Sequence, residues 1–132
     1  MHPRRSWATR AHAGAAYRCR RTGRTFALDG DFLERNLPLV CPALGVPLVI
    51  GRETGQGGGP YAPTVDRVDN RKGYLPSNVV VVSKRANSIK SNRTVQEIRV
   101  MADAARRGEL EEDQARVFLF YEALTASVHI AG

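Results

Sequence analysis

The sequence predicts an α+β domain in which a short β-hairpin runs directly into a helix, with a basic helix before it and two helices after it. Three observations carry this. Residues 63–92 hold two valine-rich extended runs around a polar loop, followed by a helical stretch. Apolar residues recur at helical spacing on either side of that block. The length, 132 residues, gives room for one core, because roughly two-thirds of the unfolded surface is buried at this size. A single domain is expected, with a basic helical arm over 1–24, short extended segments and a glycine-rich loop over 25–62, the hairpin and helix over 63–92, and C-terminal helices over 93–132.

The first helix is expected over 4–21, with Trp7, Ala8, Ala11 and Ala15 on one side and Gly23 as its stop. Gly14 weakens it by about 1 kcal/mol relative to alanine. Asp31 is placed to cap a short turn through Phe32, Leu33 and Glu34. Beyond Pro38, "LVC", "PALG" and "VPLVI" read as short extended segments around a tight reversal. The stretch "GRETGQGGGPYAP" has five glycines between Gly51 and Gly59 and reads as a mobile loop. It lacks the spacing and the trailing Lys-Ser/Thr of a phosphate-binding P-loop.

Strands are expected over 63–68 and 78–83, joined by a polar loop over 69–77, with a helix over 84–91. Thr94 and Glu97 form a capping box that opens a helix through Ile98, Met101, Ala102 and Ala105, and Gly108 ends it. A last helix over 110–127 presents Val117, Phe118, Tyr121 and Leu124 for core packing. No internal repeat is visible.

Charge is unevenly spread. The chain carries 20 Lys and Arg against 13 Asp and Glu. The first 28 residues contain seven arginines and no acid, and residues 66–93 contain seven basic residues against two acids. From Glu97 onward seven acids meet four arginines, so the basic face belongs to the first helix and the central block. That distribution suits a polyanion, and it places nucleic-acid contacts at Arg18, Arg20, Arg21, Arg71, Lys72 and Arg85. No apolar run approaches the roughly 20 residues of a spanning helix, so no membrane partner is expected. The arginine-rich start also fits a transit peptide, but the arginines run on into the expected helix, and a cytoplasmic protein is the expectation. Cys19 and Cys41 lack CxxC spacing, which excludes a zinc ribbon and leaves two small buried hydrophobes.

A hairpin followed at once by a helix brings a carboxylate on the first strand opposite a polar side chain on the helix. Asp66 and Asn87 fall at those places. Both offer oxygen ligands, and a hard cation such as Mg²⁺ needs few from the protein. The order "VDRVDN.KGY...NVVVVS..AN.IK" resembles the HNH or His-Me finger nucleases, and more closely the small HNH-like proteins of phages and mobile elements. The upstream "CPALGVPL", after a basic helix, is similar to the N-terminal half of those proteins, so the resemblance covers about residues 11–101.

The resemblance implies a ββα-metal fold and a metal-dependent DNA endonuclease with Mg²⁺ or Mn²⁺ as cofactor and double-stranded DNA as partner. It implies Asp66 as metal ligand, Asn87 as the helix residue completing the metal site, and Asn78 as the residue tying the hairpin loop together at the head of the second strand. It adds Lys84 and Lys90 as phosphate contacts, with Gly73 supplying a turn conformation and Tyr74 packing beneath. Arg67 stands where the family pattern has the histidine that activates water, and arginine is a poor general base at neutral pH. Three outcomes stay open: the metal alone generates hydroxide, Asp69 or a distant His12 serves as base with Arg67 clamping the phosphate, or the chain binds nucleic acid without cutting. A basic face meeting an acidic protein is a third class of function.

Overall fold

The computed structural model describes residues 2–51 and 58–131, with side chains through residue 126. Residues 52–57, expected within the mobile glycine-rich loop, lie outside the described residues. The architecture is α+β, with five helices and one two-stranded antiparallel sheet among the described residues.

Helix α1 spans Pro3–Thr22. Proline suits this first position, where its missing N–H is not needed and its fixed φ already matches the helix. Gly23 ends the helix at φ 75° and returns its N–H to the Cys19 carbonyl, a left-handed cap that glycine adopts without a Cβ penalty. The buried face is Trp7, Ala8, Ala15 and Cys19, with Ala11 half-buried. Its small side chains let the helix lie close to the sheet, and the Trp7 indole N–H donates to the Pro63 carbonyl at 3.1 Å. The short helix α2, Phe32–Arg35, starts after Asp31, but the Asp31 side chain makes no capping bond and pairs instead with Arg35. The reversal expected after Pro38 is present: Val40 bridges Pro47 in antiparallel fashion, and Gly45 turns the chain at φ 73°.

Strand β1 is Pro63–Arg67 and β2 is Val79–Ser83, with Asp66 opposite Val80 and Arg67 opposite Val79. Successive side chains of a strand point to opposite faces. Accordingly Val65 and Val81 join the cluster under α1 with Trp7, Leu33 and Tyr74, while Val82 joins a second cluster with Ile98, Val117 and Tyr121. The hairpin is thus a partition between two cores. Asn78 does not open the second strand as expected. It ends a 3₁₀ turn, Pro76–Asn78, because its side chain is committed to the loop beneath it.

Helix α3, Lys84–Lys90, is capped by Ser83, whose hydroxyl accepts from the Ala86 N–H at 3.1 Å. Helix α4, Val95–Arg106, opens with both bonds of the Thr94–Glu97 capping box. After Gly108, at φ 73°, helix α5 runs Glu112–Ala131 and packs on α4 through Ile98, Ala102, Val117 and Tyr121. No helix among the described residues is long and apolar enough to cross a membrane.

Candidate nucleic-acid interface and the Asp66 site

Asn78 ties the two ends of the hairpin loop together. The Asn78 carboxamide oxygen accepts from the Asp69 N–H at 2.9 Å, and its nitrogen donates to the carbonyls of Asp69 and Gly73 at 3.0 and 2.9 Å. Asn78 is buried, so each bond replaces one that water would otherwise supply. Replacing it with alanine leaves the Asp69 N–H and the Gly73 carbonyl without that partner, while the Asp69 carbonyl keeps the Lys72 N–H, and is expected to cost about 2–4 kcal/mol, read as a lower urea midpoint at unchanged m-value. A loss below about 1 kcal/mol would show that the loop holds itself.

Asp69, weighed as a general base, is part of the same knot. Its carboxylate accepts from the Arg71 backbone N–H and from two nitrogens of the Arg71 guanidinium at 3.0–3.1 Å. The guanidinium bonds hold its pKa at about 2, against an ordinary 3.8. A carboxylate so acidic is a weak proton acceptor at neutral pH. The folded pKa lies below the unfolded one, so the stabilisation is complete above about pH 4 and is lost as pH falls through 2. It is worth at most about 2 kcal/mol, less after screening at the half-exposed Arg71. Asp69→Asn is expected to flatten the acid limb of a stability-against-pH curve between about pH 4 and 2; an unchanged limb would place the acid sensitivity elsewhere.

The two neighbouring residues Asp66 and Arg67 lie on opposite faces of the hairpin, as strand alternation requires. Asp66 faces α3 and α5. Its Oδ2 lies 2.8 Å from the Lys90 ammonium, and the Lys90 side chain is 1% exposed against 15% for Asp66. Lys90 also donates to the Arg67 carbonyl at 2.6 Å and sits 5.0 Å from the centre of the Tyr121 ring. The contact with Asp66 is ionic rather than directional: neither Oδ2 nor the buried Tyr121 hydroxyl closes an aligned hydrogen bond. Burial, and after it the nearby Asp66 carboxylate, push the Tyr121 hydroxyl well above its usual pKa. Tyr121 therefore stays neutral.

This arrangement bears on the expected metal. Asn87 lies three residues before Lys90, the spacing that shares a helix face. Yet a divalent cation at Asp66 would stand against an ammonium already 2.8 Å from the same carboxylate. The motif's other acid is taken by Arg71, and no group of three His, Cys, Asp or Glu side chains converges among the described residues. The residues as folded fit Mg²⁺ or Mn²⁺ poorly, because a lysine already supplies the positive charge.

Arg67 faces α1. Its guanidinium lies 5.4 Å from the centre of the Tyr74 ring and donates to the Lys72 carbonyl at 3.1 Å. Arg18 lies 5.5 Å from the same ring centre, and its Nε donates to the Tyr74 hydroxyl at 3.1 Å. Arg21 and Arg24 complete an arginine-lined cleft over the buried Tyr74. Arg20 and Arg21 also approach the exposed Tyr17 ring.

Other expected contacts are placed differently. Lys90, expected at a phosphate, is buried against Asp66. Arg85 pairs with Asp113 of α5 at 2.9 Å, and Arg71 is held by Asp69. Lys84 lines a shallow depression with Pro60 and Ser88. His12, expected as an exposed residue or distant base, is half-buried; its Nε2 meets the Leu28 carbonyl at 3.0 Å and its ring packs edge-on against Phe26. It lies on the α1 side of the hairpin, away from the face that carries Asp66. Gly73 does not serve a left-handed turn, since its φ is not positive. It is required because a Cβ there would lie 2.0 Å from the Thr25 carbonyl oxygen. Arg24 and Tyr121 were not singled out as site residues; Arg24 belongs to the acid-free arginine run, whereas Tyr121 carried only the signal of a core position.

Comparison with protein-family models, with curated proteins and with solved structures gives no match.

Proposed function

We propose that the protein binds nucleic acid, duplex DNA in the first place, on an HNH-type ββα core, and that it does so in the cytoplasm. One observation carries the reading. Arg35 of α2, Arg106 of α4 and Arg116 of α5 pair with nearby carboxylates, whereas Arg18, Arg21, Arg24 and Arg67 line one cleft with no carboxylate partner among the described residues. Four uncompensated guanidiniums raise a positive potential that a phosphate backbone neutralises with release of counterions. The buried free thiols of Cys19 and Cys41 agree with a reducing compartment.

Fluorescence anisotropy with a labelled duplex at several salt concentrations tests this. Affinity is expected to fall linearly in log-log terms, and Arg21→Gln to lower the slope by about 1. Absence of duplex binding at low salt would end the proposal.

A second reading is a metal-dependent endonuclease of HNH type that hydrolyses DNA phosphodiesters. The observation in its favour is the order of Asp66, Asn78 and Asn87 along strand, loop and helix. It requires Lys90 to leave the carboxylate. Nicking of supercoiled plasmid that needs Mg²⁺ or Mn²⁺, stops with EDTA and is lost in Asn87→Ala would establish it. DNA shifted in a gel without nicking in either metal would leave the binding function alone.

A further inference from the structure

The cleft over Tyr74 is built as a socket rather than as a track. Arg18, Arg21, Thr22, Arg24, Arg67 and Tyr74 line a cavity of about 220 Å³. That lies below the roughly 300 Å³ at which sites for whole small ligands begin, and well above the ~30 Å³ share of one water. The space suits a head group and its hydration, not a nucleoside.

Each guanidinium is already anchored. Arg18 donates to the Tyr74 hydroxyl, Arg67 to the Lys72 carbonyl, Arg24 to the Arg71 carbonyl and Arg21 to the Tyr17 hydroxyl. One bond of this kind uses one of the five N–H donors and leaves the others for a ligand, so little ordering remains to be done on binding. Because the Tyr74 hydroxyl accepts from Arg18, its own proton is available to donate. The floor is therefore a buried hydroxyl donor and a half-buried guanidinium, and the rim is three exposed guanidiniums.

We infer that this cleft is a socket for a phosphomonoester: the terminal phosphate of a nucleic-acid strand, or that of a free nucleotide. A monoester presents three unesterified oxygens and close to two charges to converging donors. An internal phosphodiester carries one charge and two unesterified oxygens, so it engages fewer of the converging donors and is held less tightly at the cleft. The inference deepens the nucleic-acid reading and, for the strand-end ligand, rests on it.

The test is anisotropy on one blunt duplex with 5′-phosphate, 3′-phosphate or hydroxyl ends, with competition by a deoxynucleoside monophosphate. The wild type is expected to bind one phosphorylated duplex roughly tenfold or more tightly than the hydroxyl form, as added charge-assisted bonds allow. That ratio should fall towards one in Arg18→Gln and Arg67→Gln and persist in Arg99→Gln, an exposed arginine of the acidic C-terminal half. Arg18 is exposed on α1, so its variant is not expected to threaten folding. Equal binding of all duplexes overturns the socket and leaves the DNA reading intact. A preference that survives both cleft variants also overturns it, by placing the site elsewhere. Nucleotide binding lost in Arg18→Gln, with no duplex affinity, keeps the socket and removes the DNA reading; binding of neither removes both.

Discussion

Asp66→Ala is expected to destabilise the fold by about 3–5 kcal/mol, more than the complementary Lys90→Met. The asymmetry follows from burial. Removing Asp66 strands an ammonium whose side chain is 1% exposed, with only the Arg67 carbonyl and the Tyr121 ring left to it. Removing Lys90 strands a carboxylate that retains 15% exposure and can draw on water. A pair of this kind is weak evidence of net stabilisation, since taking both charges out of water offsets their attraction. The double variant Asp66→Leu with Lys90→Met should therefore recover much of the loss. Urea unfolding of the three variants measures all of this. Equal single-variant losses below about 1 kcal/mol would mean that the pair does not hold β1 to α3. One practical consequence is that Asp66→Ala makes a poor catalytic control, because lost folding would mimic lost cleavage.

Gly73→Ala is expected to cost more than about 4 kcal/mol or to yield no soluble protein. A Cβ on residue 73 would lie 2.0 Å from the Thr25 oxygen and within 2.9 Å of its carbon and nitrogen. These are backbone atoms, which cannot swing aside as a side chain would. Relief would require separating the Phe26–Tyr74 bridge, in which the Tyr74 N–H donates to the Thr25 carbonyl and the Ala27 N–H to the Tyr74 carbonyl, both at 2.9 Å. That movement would also shift Tyr74 from beneath Arg18 and Arg67. Gly30→Ala is the matched control, because a Cβ there meets nothing within 4 Å. If Gly73→Ala unfolds at the same urea concentration as Gly30→Ala, the close approach is not what requires glycine.

Much of the chain's local order is legible from residue order. Thr94 and Glu97 announce a helix start because their bonds close within one turn, and both bonds form. Gly23 and Gly108 stop helices at the positions their spacing suggests, since a left-handed residue is a local demand. The strands fall within one residue of expectation because valine-rich runs bounded by polar turn residues favour extended backbone. The 3₁₀ turn that ends at Asn78 is not legible in the same way, because it is set by where the Asn78 carboxamide must reach.

The fate of the charges was decided by contacts between residues far apart in sequence. Lys90 follows the motif that makes it look like a phosphate contact, yet a residue of β1 and a ring of α5 meet it in the interior. Asp66 and Arg67 are neighbours in the chain and separate at the sheet, because a strand sends successive side chains to opposite faces and a different helix covers each. Backbone periodicity is written locally, so order alone conveys it. Whether a lysine faces solvent or a carboxylate depends on what packs over it, and only the assembled helices supply that.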